Sequence, residues 1–181
     1  HKTDETFKHD QGIVDFLKKV TTERGTKPIP EAPFTLMKEG DAKIEIAFQW
    51  TEATDEHVRS YVNGIPTRDG GTHEMGLRSA VGKAVRNYVE THNLAPRGVT
   101  LTGDDIREGF TGILSVYVSE PQFQGQTKDR LNNPEVQGFV DAQVRPALEQ
   151  WLNSNRTVAE SIVARIVLAA RAREASRAAS A

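Results

Sequence analysis

Apolar residues recur along this chain in two rhythms, and the switches between them mark the elements. In "GIVDFLKKV" (12–20), Ile13, Phe16, Leu17 and Val20 fall at steps of three and four, which predicts an amphipathic helix after a glycine start. "TTERGTKPIPEAP" (21–33) interrupts that rhythm with three prolines and a glycine and reads as a loop. Over "FTLMKEGDAKIEIAFQW" (34–50) the period drops to two. Ile44, Ile46, Phe48 and Trp50 alternate with polar or small residues, and "EGD" supplies the turn of a hairpin. "HVRSYVNGI" (57–65) is a further strand, followed by the turn-rich "PTRDGG". The helical period returns over 72–94 with Leu77, Val81, Val85, Tyr88 and His92, and Thr72 is placed to cap that helix.

Thr102 and Asp105 in "LTGDDIREGF" form a capping-box pair that starts a short helix. "FTGILSVYVSE" (110–120) is apolar enough to be a central strand. "NNPEVQGFVDAQVRPALEQWLNSN" (132–155) predicts a helix capped by Asn133, with Pro134 at its first position and a kink at Pro146. The last stretch, 156–181, opens with a second capping-box pair, Thr157 and Glu160, and carries Val158, Ile162 and Ile166 on one stripe that fades past Leu168. It holds five Arg against two Glu, the composition of a helix that leaves its domain to connect to something else. At the start, "HKTDETFKHDQGIVDF" reads as strand then helix with no initiating Met, as expected of a region excised from a longer protein, His1 being a leftover of the excision. Taken together the order is α+β, one sheet with helices stacked on one face.

At 181 residues the chain is long enough to bury a real core, and 37% hydrophobic content fits a globular protein. The lack of cysteine excludes disulfides and thiolate metal sites and is compatible with a reducing cytoplasm. No apolar run approaches the ~20 residues of a membrane helix. A net charge of −2 argues against a generic nucleic-acid binder, so any phosphate affinity must be local.

Few residues offer chemistry. "RDGGTH" (68–73) lacks the Lys-Ser/Thr of a P-loop and the spacing of a dinucleotide fingerprint, so it reads first as a double-glycine turn into the long helix. His73 then has a packing or hydrogen-bonding role. No HxH or HExxH spacing supports a metal site, and no nucleophile supports a hydrolase triad. Arg78 and Arg86 stand two turns apart on the long helix with Gly82 between them, either as a solvated face or as a basic surface for nucleic-acid phosphates. In "EPQFQGQTKDRLNNPEV" (120–136) a polar, flexible tip presents Lys128 as a point charge and Gln126 as an amide donor. That tip is an idle turn, a nucleic-acid contact, or a contact for a terminal phosphate, where an ammonium offsets developing negative charge.

The blocks "FKHDQGIVDFL", "IEIAFQW", "NGIPTRDGGTHEMGLRSAV", "LTGDDIREGFTGILSVYV", "PQFQGQTKDRLNNPEV" and "AARAREASR", in this order, resemble the transducer domain of the bacterial type IIA topoisomerase ATPase subunit. That family comprises DNA gyrase B and its topoisomerase IV counterpart, and the likeness leans to gyrase. It runs from about residue 6 to the end. The resemblance implies a left-handed β-α-β fold shared with a small-subunit ribosomal protein and some small-molecule kinases, with a mixed sheet and a long C-terminal helix. It implies that residues 1–155 are the transducer and that 156–181 lead toward an absent DNA-cleaving half. It further implies that the QTK loop reaches the γ-phosphate of ATP in a preceding domain. Gln126 and Lys128 would make that contact, Thr127 would shape the loop, and Lys128 would help stabilise the phosphoryl transition state. Arg78, in "GLR", and less firmly Arg86 would line a cavity for captured duplex DNA.

The same resemblance implies ATP and Mg2+ in the full subunit, bound mainly by the preceding ATPase domain. It names as partners that domain, the gyrase A protein and duplex DNA, in the cytoplasm and without a membrane. The pocket's general base, its magnesium-binding Asn and its glycine-rich lid have no counterpart among these motifs, so this chain alone is expected to be inactive and to bind no cofactor. It is expected to be a monomer or at most a weak crystal dimer. Two other readings stand beside this one: a stand-alone phosphotransferase on the same fold, and a nucleic-acid-binding module built on the Arg-bearing helix.

Overall fold

A computed structural model describes residues 10–29, 33–40, 42–125 and 128–180. The strand expected before residue 10 lies outside them. Helix α1 (Asp10–Glu23) precedes the hairpin β1 (Phe34–Glu39) and β2 (Lys43–Trp50). Then follow β3 (His57–Val62), the two-residue β4 (Ile65–Pro66), the long α2 (Thr72–Thr91), the single-turn α3 (Gly103–Arg107) and β5 (Phe110–Tyr117). Helices α4 (Pro134–Ser154) and α5 (Arg156–Ser180) complete an α+β fold on a five-stranded mixed sheet.

The sheet runs β1-β2-β5-β3-β4, with β5 at its centre as its apolar run predicts. Strand β5 pairs antiparallel with β2 (Ile46 opposite Leu114) and parallel with β3 (Val62 opposite Val116). The parallel step from β3 to β5 needs a crossover, and α2 and α3 provide it.

The period of two in β2 sorts its side chains. Ile44, Ile46, Phe48 and Trp50 join Leu114 and Val116 on the face covered by α2 and α4, where Leu77, Val81, Val85, Val140, Val144 and Leu148 complete the main core. Its densest part is aromatic: Phe48 lies 4.7 Å from both Phe34 and Phe110, and the Trp50 Nε1–H donates to the Ile106 carbonyl at 2.7 Å. Two glycines allow this packing. A side chain at Gly112 would meet the Phe48 Cβ, and one at Gly76 would run into the Gln137 carbonyl of α4.

Helices on one face describes α2, α4 and α5, but α1 is an addition on the other. Ile13, Phe16, Leu17 and Val20 pack on Ala47, Tyr61 and Ile113, the opposite-parity positions of the strands. Apart from Tyr61 and Ile113, the strand positions of this face are small or polar, among them the buried Gln49, Thr111 and Ser115, so they carry little apolar signal in the sequence.

Two caps also differ from expectation. Gly71 occupies the N-cap of α2, and Thr72 lies inside the helix with its hydroxyl buried and unpartnered. Helix α5 starts at Arg156, so Thr157 falls in the first turn and Glu160 pairs with Arg156 at 3.7 Å. The Thr102–Asp105 box forms in full. It also serves α5, because the Asp105 carboxylate holds the Arg173 guanidinium at 3.0 Å from both Nε and Nη2. Arg165 adds an ion pair with Glu108 at 3.1 Å. Ile162, Ile166 and Ala170 are fully buried, so α5 is docked as far as Arg173 before its exposed end. Among the described residues no helix is long and apolar enough to cross a membrane.

Candidate functional site

The segment after β5 forms a narrow ribbon. The Gln124 N–H donates to the Arg130 carbonyl at 2.9 Å, the Asn132 N–H donates to the Gln122 carbonyl at 2.7 Å, and Phe123 bridges Leu131 between them. Asn133 closes the base. Its Oδ1 accepts from the Gln122 N–H at 2.5 Å, and its Nδ2 donates to the Glu120 carbonyl at 3.1 Å and to the Glu135 carboxylate at 2.9 Å. The residue expected as a helix cap therefore sits at the N-cap position of α4, but its side chain clasps the loop. That hydrogen bond from Asn133, together with the N-terminal amide of Glu135 itself, holds the Glu135 carboxyl below its ordinary range.

A third strand-like segment supports the ribbon: the "RDGG" turn. Leu131 donates its N–H to the Gly70 carbonyl at 3.0 Å and accepts from the Thr72 N–H at 3.1 Å. The Asp69 N–H donates to the Asp129 carbonyl at 2.8 Å, and Arg130 Nη1 donates to the Asp69 carbonyl at 3.0 Å. Gly71 has φ 139, and a Cβ there would collide with the Leu131 backbone, so the contact requires glycine. The double glycine is a turn, as its sequence suggests, and it also fastens the ribbon to the first turn of α2.

Lys128 stands at the tip, exposed, with φ 61. A non-glycine residue held in the left-handed region carries backbone strain that tends to occur at functional positions. Gln126 and Thr127 lie outside the described residues.

Beneath the turn runs a buried polar chain that sequence reasoning missed. His73 Nε2 lies 2.9 Å from Thr67 Oγ1, Thr67 Oγ1 lies 2.8 Å from Ser60 Oγ, and Ser60 Oγ donates to Glu74 Oε2 at 2.5 Å. One proton order satisfies every link: His73 donates to Thr67, Thr67 to Ser60, and Ser60 to the carboxylate. His73 is fully buried, and burial first, then the charge of Arg130, pushes its pKa down to about 4. Burial raises the Glu74 carboxyl against the pull of Ser60 and Arg78. Scattered hydroxyls at positions 60 and 67 have no spacing that would betray such a chain.

Arg78 is half-buried in an ion-pair group. Its Nε lies 3.1 Å from Glu56, its Nη2 lies 3.4 Å from Glu74, and Arg107 approaches the same Glu56 at 3.6 Å. Arg86 is exposed beside Gly82. By helix geometry the two arginines stand about 12 Å apart along the axis and about 80° around it. The structure thus ties Lys128's ribbon to the helix that bears both arginines. Among the described residues no group of three or more His, Asp or Glu is arranged to hold a metal ion.

The protein-family model for DNA gyrase B matches residues 12–181. The chain belongs to the DNA gyrase B family. The DNA gyrase B protein of Mycobacterium tuberculosis is 40% identical over 173 residues, a match that covers 95% of this chain and 26% of that protein. Among solved structures, the 43K ATPase domain of Thermus thermophilus gyrase B superimposes with a TM-score of 0.85 at 34% identity, over 93% of this chain and 45% of that one. The topoisomerase IV ATP-binding domain of Francisella tularensis gives a TM-score of 0.78 at 32% identity, over 92% and 44%. Gyrase B and its topoisomerase IV counterpart are therefore both similar to this chain, which spans about a quarter of the curated gyrase B protein.

Proposed function

We propose that this chain is the transducer region of a gyrase B-type protein, coupling ATP turnover to passage of duplex DNA. The observation that carries the reading is Lys128: an exposed ammonium at a strained tip, on a ribbon stitched by backbone hydrogen bonds to the N-terminus of α2. On this reading Lys128, with Gln126, meets the γ-phosphate of ATP held by a preceding domain. Bound there, ATP with its magnesium ion would supply the transferable phosphoryl group. Lys128, exposed at the tip, fits one contact to a terminal phosphate. Its charge would offset the negative charge that develops on the phosphoryl oxygens.

Loss of that contact after hydrolysis would change the position of the ribbon, and Leu131 and Gly71 would pass the change to α2. Helix α2 would form the wall of the DNA cavity. Arg86 is free to meet phosphates there, whereas Arg78 would first exchange Glu56 for a phosphate. Residues 1–155 would be the transducer, and 156–181 would lead toward the DNA-cleaving half, with the gyrase A protein as the partner.

The test is Lys128→Ala in the full-length protein. ATP turnover is expected to fall by about 100-fold or more, the scale of losing one preorganised charge-stabilising donor. The melting temperature of this region should not move, because Lys128 is exposed. Unchanged turnover would remove the phosphate contact and the reading built on it.

A further inference from the structure

The outward face of α5 borders an open groove. Glu160, Ala164, Val167, Leu168 and Arg171 line one wall of an open groove of about 420 Å3, with Leu94 and Pro96 opposite. Leu168 is 62% exposed, the most exposed large hydrophobic side chain among the described residues. The helix that presents it is rigidly docked, through the buried Ile162 and Ile166 and through the Arg165–Glu108 and Arg173–Asp105 pairs. This is a fixed apolar strip, not a frayed end.

The charges at its two ends say what fits. Glu160 and Arg171 are 11 residues apart, which places them within about 20° on one side of the helix and about 16 Å apart along it. The strip therefore runs acid, small, apolar, base. A second identical strip turned end for end matches it: a twofold axis between Arg165 and Ile166 sets each Glu160 opposite the other chain's Arg171. The same axis sets each Val167 opposite the other chain's Ala164. The small Ala164 lets the helices approach, and the groove beside it accepts the projecting leucine. Glu160 shares its carboxylate with Arg156 at 3.7 Å, while among the described residues no carboxylate pairs with Arg171. A strip that is its own complement under a twofold axis is the signature of an isologous contact.

We infer that this face of α5 is a self-association surface whose partner is a second copy of this chain, packed antiparallel about Leu168. One helix pair over three turns lies at the small end of specific interfaces, below about 1,200 Å2, so the dimer is weak.

Sedimentation equilibrium of the 181-residue chain tests it, from about 10 μM to about 1 mM at low and moderate salt, the range in which so small an interface assembles. A concentration-dependent dimer that weakens with salt is expected. Leu168→Glu should abolish the dimer without moving the melting temperature, since that side chain is mostly in solvent. Glu160→Arg and Arg171→Glu should each weaken association by about tenfold or more, because each sets two like-charge pairs across the axis. The double swap, Glu160→Arg with Arg171→Glu, should restore it. A chain that stays monomeric throughout overturns the proposal and leaves the groove to a helix from elsewhere in the full-length protein. A dimer indifferent to Leu168→Glu, or one that the double swap fails to rescue, overturns the antiparallel packing.

Discussion

The aromatic core and the Lys128 ribbon lie in one structure, yet different forces hold them. Phe34, Phe48, Trp50 and Phe110 are held by apolar burial, each touching the next through ring faces and edges. The ribbon is held by main-chain hydrogen bonds among Gln122, Gln124, Arg130, Leu131, Asp69 and Gly70, with the Leu131 side chain fully buried. Burial fixes how stable the domain is. Backbone hydrogen bonds, each worth ~1 kcal/mol net because water replaces them readily, fix where a tip points. A segment whose position has to change with the state of a bound nucleotide is suited to the second kind of support.

The largest expected effect separates the two directly. Phe48→Ala should cost about 4 kcal/mol and remove protection from all core amides together. Gly71→Ala should cost about 2 kcal/mol, through an unfavourable φ and the collision with Leu131. Hydrogen exchange should then accelerate at the Asp69, Thr72 and Leu131 amides while Ile46 and Leu114 stay protected. If Gly71→Ala loosens β2 and β5 equally, the ribbon is not a separate unit and the contrast fails.

This division also explains what could be read from the sequence. Ile44, Ile46, Phe48 and Trp50 announce a hairpin because burial leaves a period of two in the residue types. Thr102 and Asp105 announce a helix start because a cap needs particular side chains. The ribbon leaves no such trace, since main-chain bonds from Gln122 to Asn132 would form with many other side chains. Only Gly70 and Gly71 hint at it, and they read equally well as a plain turn. The second face of the sheet was hidden for a related reason: Ala47, Gln49 and Ser115 look like solvent positions until α1 is placed over them. Lys128 and Arg86 were legible as exposed cations. The enclosure of Arg78 by Glu56 and Glu74 was not, because Glu56 lies 22 residues away in sequence.

His73 lies between the two regions and makes the next largest effect a matter of pH. Its pKa falls from about 6.5 unfolded to about 4 folded, so the unfolded chain binds the proton more readily. Its contribution is complete above about pH 6.5 and is lost as pH falls toward 4, on the order of 3 kcal/mol over the window. Glu74, raised chiefly by burial, acts in the opposite direction, which makes the difference between variants the useful quantity. Urea unfolding across that range should show a steeper loss for the parent chain than for His73→Gln. Arg130→Gln should remove a smaller part of the slope, because Arg130 is the second cause of the shift and sits on the ribbon. Parallel profiles for parent and His73→Gln would mean that His73 binds its proton equally readily in the folded and unfolded chains.

The smallest effect on stability decides the most about the arginine face. Arg78 sits in a partly exposed ion-pair group, so Arg78→Gln should cost only about 0.5 kcal/mol, and Arg86→Gln close to nothing. Function should rank them by a different rule. On the proposed reading each arginine that meets a DNA phosphate contributes about one unit to the salt slope of binding, so its removal lowers that slope by about 1. Arg86 is free already, and Arg86→Gln should lower the slope whether or not the domain rearranges. Arg78 reaches a phosphate only by leaving Glu56, so Arg78→Gln should lower the slope only in the nucleotide-bound full enzyme. There it should impair strand passage while sparing basal ATP turnover. Normal strand passage by Arg78→Gln would make Arg78 a structural tie between α2 and the Glu56 loop, and would leave Arg86 as the residue of this helix that faces DNA.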